Sequence, residues 1–442
     1  MAHSNHEPRS FAPTSGPSPD ARRFALEEMG VVFEELIECS WRVTGSSLDH
    51  ATQQVDVVPV YMYPFESDAF AMRNQWYVAS YSRDVSRKPL QRWILDEPVV
   101  LFRKQNGAVV ALEGRCAHRH FPLAEGTLLG DTLQCRYHGL VYDSDGSAVR
   151  IPSQPAATSR CRIKSYPTIE LWDWIWIWMG DRDRADPTLI PDHYDMGLTD
   201  PEFLTTIVCH HLLEARYQLV HDNLLDLSHV AFLHANTIGG GSEGTATSNY
   251  PRSSGPNWAR SDRLLRKTIL PPHYGRHMGA SGECDRYMPI FFYMPSLHIG
   301  MDDFRRPSNS PDALGESLGK LLVYHAVTPA RRNTTHYFAA AGRNFGRDAD
   351  EEQMVAAFNA VIDEDVFGLQ AIEQMVREMG DRLPPEFSTR ADTQQVLIRR
   401  KLESLILSDG NGAVAEPPLR FQLKSLGDTL FAERRRESAG GG

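Results

Sequence analysis

Residues 116–140, CAHRHFPLAEGTLLGDTLQCRYHGL, hold two short ligand pairs. The first is Cys116-x-His118, the second is Cys135-x-x-His138, and sixteen residues separate them. Each pair offers one thiolate and one imidazole that can face a common centre. Two Cys and two His in this order are the ligand set of a Rieske [2Fe–2S] cluster, in which the thiolates hold one iron and the imidazoles the other. The rival is zinc. A Cys2His2 finger pairs like with like, as Cys-x2–4-Cys and His-x3–5-His, and the mixed pairs here fit that pattern poorly. Pro122, Gly126, Gly130 and Gly139 supply turns beside the ligands, as two clasping loops require. Neutral imidazole donates less negative charge than thiolate, so such a cluster takes up an electron more readily than an all-Cys one.

Around this motif the chain reads as short strands broken by turns: WYVAS, RWILDEPVVLFRK, then AVVALEG after the Asn106-Gly107 hairpin signal. A small all-β domain over residues 71–180 follows. It closes with LWDWIWIWMGD, where Trp172, Trp174, Trp176 and Trp178 alternate and so share one strand face, expected to pack on the next domain. Residues 1–70 form an extension with a polar, Pro/Ser-rich start, an amphipathic helix over 21–45 and a connector, expected to dock on the domain surface or on a neighbouring subunit. Residues 181–420 mix strands with helical segments and form an α+β catalytic domain, and 421–442 form a tail.

Composition narrows the function. The chain has 442 residues, with 41% hydrophobic and 23% charged content, ordinary for a globular protein with more than one core. A net charge of −11 argues against a nucleic-acid partner. The sequence has neither an apolar run of membrane-spanning length nor a signal-peptide core, so a cytoplasmic location without membrane contact is expected. Cys39, Cys161, Cys209 and Cys284 follow no pattern and are expected to be buried free thiols.

A second centre is written in HLLEARYQLVHDNLLDLSHVAFLH, which reads as helical. Asp226, His229 and His234 form Asp-x-x-His-x4-His, preceded by Asn223. Two His and one carboxylate with open positions suit a mononuclear non-haem Fe(II) that activates O2. Residues five apart stand about 140° apart around a helix, so His229 and His234 converge only if the helix bends or ends between them. The third ligand is sought in the long helix DADEEQMVAAFNAVIDEDVFGLQAIEQMVREMG. Met354, Phe358, Val361, Leu369, Ile372 and Val376 make an apolar stripe whose gap falls at Asp365, while Asp363 and Glu364 point away. A buried carboxylate needs a partner, which is either a metal or a basic residue.

With both motifs in place, the chain resembles the oxygenase components of Rieske non-haem iron oxygenases. The likeness is closest to the branch of the vanillate and dicamba O-demethylases and the toluenesulfonate methyl-monooxygenases. It runs from Asn74 to Glu378 through NQWYVAS, CAHRHFPLAEG, CRYHGLVYD, DNLLDLSHVAFLH, HAVTP, GRNFG and EDVFGLQAIE. The resemblance implies a catalytic domain whose antiparallel sheet covers a long helix, in the helix-grip manner. Cys116, His118, Cys135 and His138 would hold the cluster, and His229, His234 and Asp365 the iron. Asp226, with Asn223 beside it, would bridge an iron-ligand His to a cluster His of the adjacent subunit in a head-to-tail homotrimer. His325 matches a substrate-lining position, and Ser296 and His298 in FFYMPSLHIG are further candidates. Ala356 departs from a relative that carries a pocket aromatic there. The chain has no Gly-x-Gly-x-x-Gly leading a helix, so electrons are expected from a separate ferredoxin or flavin reductase. The implied activity is O2-dependent mono-oxygenation of a small aromatic substrate, an aromatic acid or similar xenobiotic, by O- or N-demethylation or methyl hydroxylation. An arene cis-dihydroxylase and a plain Rieske electron carrier are the alternatives.

Overall fold

The computed structural model describes residues 63–238 and 252–410 apart from 312, with a few positions between 417 and 426. The helix expected over 21–45 and Cys39 lie outside the described residues, as does the C-terminal tail apart from Leu423 and Leu426, which are buried in a core rather than free as a tail would be.

Eleven short strands precede the catalytic sheet: β1 (Trp76–Tyr81), β2 (Leu90–Ile94), β3 (Glu97–Arg103), β4 (Val109–Glu113), β5 (Thr127–Leu129), β6 (Thr132–Gln134), β7 (Val141–Tyr142), β8 (Ala148–Arg150), β9 (Ser165–Tyr166), β10 (Thr168–Leu171) and β11 (Trp174–Trp178). They form antiparallel sheets ordered β1-β11-β10, β2-β3-β4-β9 and β5-β6-β7-β8. The Asn106-Gly107 turn joins β3 to β4 as read, with Gly107 at φ 88°. The β2–β3 turn carries no such signature. Leu95 and Asp96 both adopt positive φ, at 50° and 62°. Docking compensates, because Leu95 N–H donates to Pro329 O at 2.9 Å and Asp96 N–H to Ala330 O at 3.0 Å.

The second part is one seven-stranded antiparallel sheet of β12 (Leu204–Leu213), β13 (Arg252–Ser254), β14 (Trp258–Ile269), β15 (Glu283–Tyr293), β16 (Leu297–Arg305), β17 (Ser317–Arg331) and β18 (Thr334–Arg343). Its order is β12-β18-β17-β16-β15-β14-β13. Among the described residues four α-helices accompany it: α1 (Tyr217–Leu225), α2 (Pro272–Met278), α3 (Glu351–Met379) and α4 (Thr393–Gly410). None is long and apolar enough to cross a membrane.

Both faces of the sheet are covered, and strand alternation divides the labour. Leu321, Val323, Ala339 and Ala341 face α1 and α3, in one core with Leu219, Leu224, Phe358 and Ile362. Leu322, Tyr324, Ala326, Phe338 and Ala340 face the other way and pack on Trp174, Trp176 and Trp178. The tryptophan face therefore packs as the alternation predicts, with one correction. Trp172 lies in the β10–β11 turn at φ 55°, half-buried, its Nε1–H donating to Thr205 Oγ1 at 3.2 Å.

The helical reading of 211–234 needs a larger correction. Its first residues end β12, α1 stops at Leu225, and a 3-10 turn over Leu227–Ala231 follows. The long helix holds: Asp350 caps it through Glu352 N–H and Gln353 N–H, and Gly380 closes it at φ 51°. Its buried stripe is Met354, Phe358, Ile362, Asp365, Leu369, Glu373 and Val376. Ile362 thus replaces Val361, and Glu373 replaces Ile372, which is 48% exposed. Glu373 is buried because Arg216 meets it in two parallel bonds, Nε to Oε2 at 2.6 Å and Nη2 to Oε1 at 2.9 Å. Glu373→Ala strands that guanidinium and is expected to cost about 3–5 kcal/mol, read by urea unfolding. The double change Arg216→Met with Glu373→Leu is expected to cost much less.

The buried face of helix α4 is a short apolar row of Ile398, Leu402 and Ile406 flanked by polar Gln394, Gln395 and Asp409. Part of what the helix does is hold the end of the connector and the first residues of the β domain. Ser67 N–H donates to Glu403 at 2.7 Å, and Asp409 accepts from Arg73 N–H at 2.8 Å and Asn74 Nδ2 at 3.0 Å. Phe65, Ala69 and Met72 enter the core under α3, so this end of the connector docks on the domain itself.

Candidate metal centres

The two cluster loops are copies of one backbone device. Cys116 N–H donates to Phe121 O at 2.9 Å and its carbonyl accepts from His120 N–H at 2.9 Å. Cys135 N–H donates to Leu140 O at 2.7 Å and its carbonyl accepts from Gly139 N–H at 3.0 Å. The fifth residue of each loop is left-handed, His120 at φ 57° and Gly139 at φ 73°. Both cysteines are buried, whereas His118 and His138 are exposed with ring centroids 4.6 Å apart. The loops thus set two thiols inward and two imidazoles at the surface.

The donor set fits a Rieske cluster. Burial pushes the Cys135 thiol up in pKa, and the adjacent Cys116 sulfur adds to the shift. Backbone N–H groups of Tyr137 and His138 oppose it, as they would for a thiolate. Tyr142 is an unforeseen neighbour. Its oxygen accepts from Ala117 N–H at 3.1 Å and lies 3.2 Å from Cys116 Sγ, so its O–H is free to donate to that sulfur. Hydrogen bonds to cluster sulfurs are a lever on reduction potential.

At the second centre, ligand atoms of His229, His234 and Asp365 lie within 4.8 Å of one another. The condition on the His pair is met: α1 has ended, and the 3-10 turn swings His229 round to a ring distance of 5.1 Å from His234. Asp365 is 6% exposed on α3, in the stripe gap, and it is met by imidazole and amide rather than by a basic side chain. His234 Nε2 is 3.1 Å from its Oδ1, His229 Nε2 is 3.5 Å away, and Asn223 Nδ2 donates to it at 3.0 Å. Burial alone would raise the Asp365 pKa, but His234, His229 and Asn223 outweigh it and hold the carboxyl below the usual range.

The other ring nitrogens decide what this convergence can hold. His229 Nδ1 lies 2.5 Å from Asp226 O and His234 Nδ1 lies 2.7 Å from Glu364 Oε2. Both partners are acceptors, so each Nδ1 carries a proton and each ring turns its Nε2 toward the Asp365 carboxylate. Burial alone would lower the His234 pKa, but Asp365 and Glu364 outweigh it and raise it. Two imidazole Nε2 atoms and a carboxylate converging on one point form a ligand set that a cation can occupy in place of Nε2 protons, and a metal-bound His normally anchors its far nitrogen in this way. The residues fit a divalent iron with open positions.

Glu364 was expected to point away. Instead it holds His234 and also accepts from Thr237 Oγ1 at 2.7 Å. Glu364→Ala is expected to weaken iron binding by about 10–100-fold, read by chelator competition, with cluster absorbance unchanged. Asp226 is half-buried. Its carbonyl, not its carboxylate, holds His229, while the carboxylate accepts from Ser228 N–H and Oγ–H at 2.7 Å each and caps the 3-10 turn.

A cavity of about 170 Å3 opens beside His229, His234 and Asp365. His298 and His325 line it, Leu224, Ile290 and Val323 are among its apolar walls, and Ser296 lies outside it in the turn before β16. Ala356 is exposed on α3 and does not line it. His325 Nδ1 bonds the Tyr337 hydroxyl at 2.6 Å, and burial pulls its pKa down to about 4. His221 has Nδ1 2.8 Å from His298 Nε2. Of the three scattered thiols described, Cys284 is buried, while Cys161 and Cys209 are only half-buried.

Comparison with known proteins agrees with both centres. Residues 75–167 match the Rieske [2Fe–2S] domain model, and residues 213–408 match that of the vanillate O-demethylase oxygenase C-terminal domain. The chain is 32% identical over 351 residues to a putative toluene-4-sulfonate monooxygenase system iron-sulfur subunit of Comamonas testosteroni, covering 77% of this chain and 99% of that one. It is also 32% identical to the dicamba O-demethylase oxygenase component of Stenotrophomonas maltophilia, over 76% and 97% of the two chains. A crystal structure of dicamba monooxygenase bound to 3,6-dichlorosalicylic acid superposes with a TM-score of 0.69 at 27% identity, covering 76% of this chain and 98% of that one. The chain therefore belongs to the Rieske non-haem iron oxygenases, in the branch of oxygenase components that includes the vanillate and dicamba O-demethylases.

Proposed function

We propose that this chain is the terminal oxygenase of a multicomponent system that mono-oxygenates a small aromatic substrate, by O- or N-demethylation or methyl hydroxylation. Cys116, His118, Cys135 and His138 hold the cluster, and His229, His234 and Asp365 hold the iron. The observation that carries this reading is the cavity ending on those last three side chains. Its size supports a single ring, since a protein cavity of about 150 Å3 accepts benzene. A plain electron carrier needs neither the cavity nor the second ligand set.

When bound, the iron supplies O2 activation and the cluster supplies electrons one at a time. The chain's own residues prepare that chemistry. Asn223 fixes the Asp365 carboxylate, and Asp226 O and Glu364 fix the two rings. The apolar walls exclude water and hold the carbon to be oxidised at the His229–His234 end, while neutral His325 can meet a polar substituent without adding charge.

The exposed His118 and His138 and the half-exposed Asp226 support a head-to-tail homotrimer in which the cluster of one subunit serves its neighbour's iron. Free thiols at Cys161, Cys209 and Cys284 support a reducing, cytoplasmic setting. The test is turnover of a panel of methoxy-, N-alkyl- and methyl-arenes with a surrogate reductase. Formaldehyde or a benzylic alcohol is the expected product, and cis-diols in their place would overturn the mono-oxygenase reading.

A further inference from the structure

We propose that the cavity selects an uncharged arene rather than an aromatic acid, because the cation in its wall is already neutralised by the chain itself. This rests on the oxygenase reading above and names the substrate class for the same site. The cavity wall is a grid of alternate residues on neighbouring strands: Arg286, Met288 and Ile290 on β15, His298, Gly300 and Asp302 on β16, and Leu321, Val323 and His325 on β17. Strand register orders the grid. His298 pairs with His325, Gly300 with Val323, and Asp302 with Leu321.

The two ends of the grid differ. The His298–His325 row lies toward the iron ligands, since the Asp365 charge acts on His325. The Asp302–Leu321 row is four residues further along, about 13 Å away at strand rise. A ring oriented with its reacting carbon at the iron ligands turns its opposite substituent toward that far end. This is where an acid head would need a cation.

Arg286 stands there, and it is the sole Lys or Arg among the described residues lining the cavity. Its Nε donates to both oxygens of Asp302, at 3.2 and 3.1 Å, and its Nη2 donates to Oδ2 as well. Both side chains are buried, each residue 9% exposed. An incoming carboxylate must either displace Asp302, leaving it buried and unpaired, or share the guanidinium with it at like-charge contact. Among the described residues no second cationic side chain lies in the wall, and burial keeps His298 and His325 neutral.

The test is calorimetric titration of the purified holoenzyme with matched ligands: 4-methoxybenzamide and methyl 4-methoxybenzoate against 4-methoxybenzoate. The neutral members are expected to bind on the order of 100-fold more tightly than the acid. Asp302→Asn is expected to narrow or reverse that ratio by releasing Arg286. Equal or tighter binding of the acid by the unaltered enzyme overturns the inference and leaves the oxygenase reading standing. If no member of any pair binds and no arene is turned over, the oxygenase reading falls, and the inference falls with it. The unaltered enzyme decides the question by itself should the variant fail to fold.

Discussion

Asp365→Asn is expected to lower turnover by more than about 100-fold and to reduce iron from about three atoms per chain to about two. Asparagine keeps the shape and can still accept from Asn223 Nδ2, so the fold of α3 is undisturbed. What it removes is the one anion of the ligand set, facing Nε2 of His229 and His234. The cluster loops lie on other strands, and their absorbance is expected to persist. Iron assay and visible spectra on the same sample separate the two centres. Three irons retained with full activity would exclude Asp365 as a ligand.

The second large effect concerns Asp226, where two variants separate two roles. Asp226→Asn keeps an oxygen that can accept from Ser228 N–H, so the cap of the 3-10 turn survives and both metals stay bound. It removes the charge, and turnover is expected to fall at least about 10-fold if the carboxylate links neighbouring centres. Asp226→Ala loses the cap as well, at about 1 kcal/mol, and loosens the turn that aims His229, so iron content is expected to fall too. Full activity in the Asn variant would leave Asp226 a purely structural cap.

What the sequence made legible was what is local. The cluster ligands lie within 25 residues on two turns, so spacing alone assembles them. Asp365 was legible because it interrupts an apolar stripe. The same stripe misled at Glu373, a second buried carboxylate whose partner, Arg216, is 157 residues away. Periodicity therefore reports burial and cannot say whether a metal or a guanidinium compensates it. Glu364 was missed for a related reason. On the helix it reads as a surface acid, and only the turn after α1 brings His234 and Thr237 to it. Helix α4 escaped notice because polar residues occupy buried positions in it and partner distant backbone, as Gln395 does with Asp222 O at 2.8 Å.

The alternation along β17 has a consequence for how such an enzyme can be changed. Leu321, Val323 and His325 line the cavity, while Leu322, Tyr324 and Ala326 hold the tryptophan seam. Selection for a new substrate and selection for domain cohesion therefore act on interleaved letters of one strand. A codon library confined to the odd positions searches the cavity wall while leaving the tryptophan seam unaltered. A deletion of a single residue there would exchange the two sets and ruin both at once.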